Sequence, residues 1–171
     1  MIMRSSLLIL IALLTLGGQS ARSEAMLETP AKQAIIIDYD TGTVLYEKNA
    51  DERMPTSSMS KVLTIYLVFE ALKEGHLRLD DTLMISENAW RMQGSKMFVE
   101  IGNKIKVEDL IRGVIIQSGN DATIALAEGI AGTESLFAER LNAKAQQLGM
   151  TQSHFMNASG WPDPEHYSTA R

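Results

Sequence analysis

Residues 55–72 read Pro-Thr-Ser-Ser-Met-Ser-Lys-Val-Leu-Thr-Ile-Tyr-Leu-Val-Phe-Glu-Ala-Leu. Nine of the eleven residues over 62–72 are apolar, which is too many for a helix with only one face turned to a core. A helix that is apolar nearly all round belongs in the middle of a domain, where other elements cover it. Turn residues precede this run and Lys73-Glu-Gly75 follows it, so the sequence predicts a central helix over residues 58–74.

A β-hairpin is predicted upstream of this helix, over residues 33–48. Residues 34–39 are rich in β-branched side chains, Asp40-Thr-Gly42 is typical of a turn, and residues 44–47 form a second strand-like run. Residues 80–105 carry turn chemistry without a clean hydrophobic period, and we expect them to be mostly loop.

Three more helices are predicted towards the C-terminus, over residues 107–117, 121–130 and 134–148. Gly149 follows the third of them, at the position where glycine most often ends a helix. The elements together predict an α+β fold, with an antiparallel sheet and a helical cluster within residues 80–165. Two strands cannot cover the central helix, because an isolated hairpin is only marginally stable in water, so we expect the fold to be incomplete.

The N-terminus has the pattern of a secretory signal peptide. Arg4 gives a positive start, and residues 7–16 are apolar except for Thr15. Ten helical residues span about 15 Å, half of a bilayer's hydrocarbon core, which is too short for a membrane anchor. Ser23 and Ala25 are small residues at the −3 and −1 positions of a cleavage site. We therefore predict a signal peptide over residues 1–25 and an exported part over residues 26–171.

Composition excludes several function classes. The chain has 171 residues with 16 Lys and Arg against 21 Asp and Glu, a net charge of −5, so it offers no basic surface for nucleic acid. Cysteine is absent, which excludes disulfides, thiolate zinc sites, cysteine nucleophiles and lipidated cysteines. His76, His154 and His166 are far apart in sequence, so neither a metal site nor a cofactor is predicted.

Chemistry is indicated at the start of the central helix, where Lys61 follows Ser58 by three residues. Side chains at this spacing are neighbours on a helix, and a lysine can deprotonate a serine if its pKa is lowered. The apolar helix would lower that pKa by desolvation, and the positive helix N-terminus would act in the same direction. Ser57, four residues before Lys61, would share the same face, so the spacing leaves both serines open. An N-capping serine beside a solvated lysine is the plain structural alternative.

A second polar group, Ser118-Gly-Asn120, interrupts two apolar helices. A hydroxyl and an amide there could shuttle a proton and hold a substrate or a lysine in place. A simple interhelical turn with Asn120 as N-cap is an equally good interpretation. Ser86-Glu-Asn88 has the same pattern, so the motif by itself is weak evidence.

Ser58, Lys61, Ser118 and Asn120 together resemble the first two signatures of penicillin-recognising serine enzymes. Further stretches also resemble the D-alanyl-D-alanine carboxypeptidases, the low-molecular-mass penicillin-binding proteins of the bacterial periplasm. These stretches are residues 34–45, 55–61, 94–98, 110–122 and 155–162. The resemblance covers essentially all of the chain after the signal peptide.

The resemblance implies a β-lactamase/transpeptidase-like fold and a role for each motif residue. Ser58 would be the nucleophile that attacks the penultimate D-alanine carbonyl of a peptidoglycan stem peptide, and Lys61 would be its general base. Ser118 would pass a proton to the leaving D-alanine, and Asn120 would position Lys61 and the substrate amide. β-Lactam antibiotics would inhibit by forming a slowly released acyl-enzyme. The backbone N–H of Ser58 would be one donor of the oxyanion hole.

The family's third signature, a Lys-Thr-Gly strand that binds substrate, is absent from these residues. The chain is therefore interpreted as the N-terminal part of a longer transpeptidase-like domain, inactive by itself. The resemblance implies that later strands and a membrane-associating C-terminal segment follow, which would hold the protein at the periplasmic face of the inner membrane. The alternatives are a non-catalytic penicillin-binding fragment and a class A β-lactamase-like hydrolase. For the latter, Glu165 would have to activate water, but the residues around it lack that loop's pattern.

Overall fold

The computed structural model describes residues 27–171, of which residues 32–171 form one compact unit. The predicted signal peptide over residues 1–25 lies outside the described residues. The strands are β1 Ala34–Ile37, β2 Val44–Lys48, β3 Thr82–Met84 and β4 Lys104–Lys106. A 3₁₀ turn, Ser57–Ser60, precedes the helices α1 Lys61–Lys73, α2 Glu87–Arg91, α3 Val107–Gln117, α4 Asn120–Ala131 and α5 Glu134–Gln147.

The hairpin expected over residues 33–48 is present, with β1 and β2 antiparallel from the pair Ala34 and Lys48. Its turn is closed by Asp38, whose carboxylate accepts the backbone N–H of Thr41 at 2.9 Å. Apolar side chains stay exposed on the hairpin, among them Ile37 and Leu45. Within the described residues this sheet has only two strands, so its hydrogen-bonding edges are left without strand partners.

Residues 80–105, expected to be mostly loop, contain regular structure instead. β3 and β4 pair antiparallel, with Thr82 opposite Lys106 and Met84 opposite Lys104. Between them α2 begins at an N-cap, Ser86, whose hydroxyl accepts the Ala89 N–H at 3.0 Å. Three-residue strands are too short to show a hydrophobic period, and their pairing is specified by the helices against which they pack.

The helix in the middle of the helical cluster is α4, not α1, the helix that was expected there over residues 58–74. Every residue from 120 to 127 of α4 is buried, and alanines at 122, 125 and 127 let neighbouring helices approach closely. Helix α1 begins at Lys61, not at residue 58, and one stripe of it is exposed: Val62, Tyr66 and Phe69. Val62 is 76% exposed, because nothing within the described residues covers that side of α1. No helix in residues 27–171 combines the length and the apolarity needed to cross a bilayer.

A buried carboxylate at the start of α4 fixes the loop that follows α2. Asp121 accepts the backbone N–H groups of Met97 at 2.9 Å and Val99 at 3.2 Å, together with that of Ala122 in its own helix at 2.9 Å. The residue between the two loop amides, Phe98, has a left-handed backbone with φ of 61° and an 82% exposed side chain. Asp121 therefore ties this loop to the helix that carries Asn120.

Replacing Asp121 by Asn should destabilise the protein by about 1–3 kcal/mol, because one carboxylate oxygen becomes an N–H donor facing backbone donors. The free energy of unfolding, measured by urea denaturation, tests this expectation. Asp40→Asn, in the exposed hairpin turn, is the matched control and should change the free energy by less than about 0.5 kcal/mol. Equal effects of the two substitutions would contradict a structural role of the Asp121 carboxylate.

Candidate active site

Ser58 and Lys61 meet because the 3₁₀ turn runs directly into α1. The turn places Ser58 about one helical turn before the lysine, and Lys61 Nζ donates a hydrogen bond to Ser58 Oγ at 3.0 Å. The spacing had left Ser57 and Ser58 open, and the hydrogen bond of Lys61 goes to Ser58. Ser57 instead has a left-handed backbone, with φ of 47°, where the chain enters the turn.

The amine of Lys61 is held in a mostly dry environment. The residue is 4% exposed, and Nζ donates a second hydrogen bond to the backbone carbonyl of Ser159 at 2.8 Å. Burial disfavours the charged form and lowers the pKa of Lys61 to about 8. About a tenth of the amine is therefore neutral at pH 7, and this neutral form can act as a general base for Ser58.

The carbonyl that holds Lys61 belongs to a loop, residues 155–160, whose role the sequence did not reveal. One residue before Ser159, the Ala158 carbonyl accepts a hydrogen bond from the hydroxyl of Thr64 on α1 at 2.7 Å. After it comes Gly160, with φ of 78°, where an added Cβ would lie 1.7 Å from the Ser57 carbonyl oxygen. Gly160 was the one sequence signal of this contact, because a glycine in a loop often marks the close approach of two backbones.

The two polar residues of the second motif, Ser118 and Asn120, have different surroundings: one lines the cleft and the other contacts a neighbouring loop. Ser118 ends α3 in a left-handed conformation and lines the same cleft as Ser58 and Lys61. Asn120 lies in the first turn of α4, and its Nδ2 donates to the Gln93 carbonyl at 2.7 Å. Among the described residues, the hydrogen bonds of Lys61 go to Ser58 and Ser159, so Asn120 does not hold the lysine in this structure.

The cleft has a volume of about 480 Å³. Ser58, Lys61 and Ser118 are the polar part of its lining, and the remaining side chains are aliphatic or aromatic: Val62, Ile65, Tyr66, Phe69, Val114 and Ile115. The described residues contain no group of three His, Asp or Glu side chains placed to hold a metal ion. The site therefore consists of a serine hydroxyl, a buried amine and a second hydroxyl, a set suited to acyl transfer.

The chain is similar in sequence and in structure to several known proteins. The Bacillus subtilis D-alanyl-D-alanine carboxypeptidase DacF is 41% identical over an alignment of 171 positions, which covers 97% of this chain and 44% of that protein. The crystal structure of the carboxypeptidase DacD from Francisella tularensis superposes with a TM-score of 0.81 at 44% identity, covering 84% of this chain and 35% of that one. Ampicillin-bound penicillin-binding protein D2 from Listeria monocytogenes gives a TM-score of 0.74 at 30% identity, over 84% of this chain and 58% of that one.

The helical cluster with small antiparallel sheets has the fold of the penicillin-binding proteins and transpeptidases. Residues 19–171 match the sequence profile of the D-alanyl-D-alanine carboxypeptidases, and the chain belongs to this family. The fold class inferred from the sequence is thereby confirmed. The chain spans less than half the length of the B. subtilis relative.

Lys61 should titrate with a midpoint near pH 8, because desolvation lowers its pKa from 10.5. NMR of the protein with ¹⁵N-labelled lysine measures this midpoint, and the Lys61→Gln variant assigns the signal. A midpoint of 10 or above would show that the amine is hydrated and cannot serve as a base near neutral pH.

Gly160→Ala should destabilise the protein well beyond the effect of its backbone conformation, because the new Cβ would overlap the Ser57 carbonyl. Gly149→Ala is the matched control, since Gly149 has a similar φ of 82° and open space around its Cα. We expect a loss of about 1 kcal/mol for the control and at least twice that for Gly160→Ala, measured by thermal unfolding. Equal losses would mean that the loop and the 3₁₀ turn are not in tight contact.

Proposed function

We propose that the protein is a serine D-alanyl-D-alanine carboxypeptidase that removes the terminal D-alanine from peptidoglycan stem peptides. The observation that carries the proposal is the 3.0 Å hydrogen bond between Lys61 Nζ and Ser58 Oγ, with the lysine buried and its pKa lowered to about 8. Membership of the carboxypeptidase family supports it from an independent direction.

The reaction would begin when neutral Lys61 takes the proton of Ser58 as the serine oxygen attacks the penultimate D-alanine carbonyl. When the tetrahedral intermediate collapses, its C–N bond breaks and the leaving D-alanine takes up a proton, with Ser118 as the relay. Water then hydrolyses the ester on Ser58 and regenerates the enzyme. A β-lactam would follow the same first step, since opening its ring leaves an acyl group on Ser58. The ampicillin-bound relative supports this part of the proposal.

The substrate-binding Lys-Thr-Gly strand of the family would come from outside the 171 residues. We propose that further strands cover the exposed stripe of α1, Val62, Tyr66 and Phe69, and so close the apolar side of the cleft. An exposed apolar patch of this kind beside a cleft is typical of a surface that another element covers. Export to the periplasm by the predicted signal peptide, and association with the inner membrane through a C-terminal segment, belong to the same proposal.

Penicillin labelling tests the nucleophile. In protein expressed from its complete reading frame, a fluorescent penicillin should form a covalent adduct, and peptide mass spectrometry should place that adduct on Ser58. Ser58→Ala should abolish labelling because no hydroxyl remains beside the Lys61 amine, whereas Ser57→Ala should retain it. Labelling that persists in Ser58→Ala and disappears in Ser57→Ala would move the nucleophile to Ser57.

The products separate the remaining alternatives. Release of D-alanine from a stem pentapeptide is expected of a carboxypeptidase and would not be seen with a non-catalytic penicillin-binding fragment. Rapid multiple turnover of benzylpenicillin would instead indicate a β-lactamase-like hydrolase.

A further inference from the structure

His166 is a buried histidine that the proposed mechanism does not use. The residue is 4% exposed and lies between the 3₁₀ turn and the loop over residues 155–160. Its Nε2 is 2.8 Å from Ser60 Oγ, and its Nδ1 accepts the backbone N–H of Met156 at 3.2 Å. One imidazole ring therefore contacts both segments that hold Lys61.

The two hydrogen bonds determine the tautomer of His166. The N–H of Met156 can only donate, so Nδ1 must be the unprotonated nitrogen. The proton of the neutral ring then lies on Nε2 and is donated to Ser60 Oγ, which also bonds Thr56 Oγ1 at 2.6 Å. Burial lowers the pKa of His166, which favours the neutral ring.

The ring is also held in its orientation. Phe155 packs against it edge to face, with ring centroids 5.4 Å apart and an interplanar angle of 80°. The backbone N–H of His166 donates to the Asp163 carbonyl at 3.0 Å, which fixes the start of the side chain. Rotation of the imidazole would break the bonds to Ser60 and Met156 together.

Both contacts of the ring lie close in sequence to groups that hold Lys61. Ser60 immediately precedes Lys61, and Met156 is three residues before Ser159, whose carbonyl accepts from Nζ. We propose that His166 is a positioning residue for acylation, which fixes the turn that carries the nucleophile relative to the carbonyl that orients the lysine. This inference rests on the proposed function.

The test compares acylation rates by a fluorescent penicillin, measured on the folded fraction of the protein expressed from its complete reading frame. His166→Ala loses both bonds and should react at least about tenfold more slowly, equivalent to about 1.4 kcal/mol of barrier. His166→Gln can keep the donor to Ser60, and His166→Asn can keep the acceptor for Met156, so each should recover part of the rate. His154→Gln is the control, because the His154 ring forms its hydrogen bond with the Glu165 carbonyl and not with a segment that holds Lys61. Its acylation rate should stay within about twofold of that of the wild type.

A double-mutant cycle with Ser60→Ala separates positioning from general destabilisation. If His166 acts through Ser60, the double variant should be about as slow as the slower single variant, because both remove the same connection. Fully additive effects, or a wild-type rate for His166→Ala, would overturn the proposal. If His166→Ala does not fold, the Gln and Asn variants decide, and wild-type rates for both would also overturn it.

A measurement independent of activity separates this inference from the proposed function. ¹⁵N NMR of the His166 ring should report a protonated Nε2 and an unprotonated Nδ1 near neutral pH. The opposite tautomer would overturn the positioning role even in a protein that penicillin labels. Wild-type protein that is never labelled would refute the proposed function, and the role in acylation with it, whatever the tautomer.

Discussion

The Lys61 amine, held between a serine hydroxyl and a backbone carbonyl, is the constraint on which the surrounding structure depends. A buried lysine is tolerated only where its nitrogen has hydrogen-bond partners, and here Ser58 Oγ and the Ser159 carbonyl provide them. The second partner comes from a loop 98 residues further along the chain. The loop over residues 155–160 must therefore approach α1 closely, which Gly160 allows by lacking a side chain where Ser57 lies.

Local sequence patterns predicted the parts of the fold that local interactions determine. The helix expected over residues 107–117 is α3, and the one expected to stop before Gly149 is α5, because hydrophobic period and helix-ending residues lie within each segment. The sequence also marked Ser58 and Lys61, since residues three apart at the start of a helix are neighbours. β3 and β4 could not be found in this way, because their pairing joins residues 20 to 24 positions apart.

The Ser159 carbonyl shows a different limit of sequence analysis. A backbone carbonyl has no residue type of its own, so nothing in the letters Asn-Ala-Ser-Gly says that this atom orients a lysine. His166 was considered only as a metal ligand, whereas the structure makes it a neutral link between Ser60 and Met156. The missing information in both cases was which distant segments the fold brings together.

Burial of Lys61 lowers the stability of the fold and at the same time gives the amine the lowered pKa that a general base needs. Lowering the pKa of Lys61 from 10.5 to about 8 corresponds to about 3 kcal/mol of lost stability below pH 8. The penalty applies in full where both the folded and the unfolded chain carry the charged amine, and it fades as pH rises from 8 towards 10.5. The other contacts of the folded state must offset this penalty, among them the hydrogen bond from Thr64 to the Ala158 carbonyl. A base whose pKa lies close to physiological pH therefore requires a dry and rigid surrounding, since a loop that admitted water would raise the pKa of Lys61 again and remove the base.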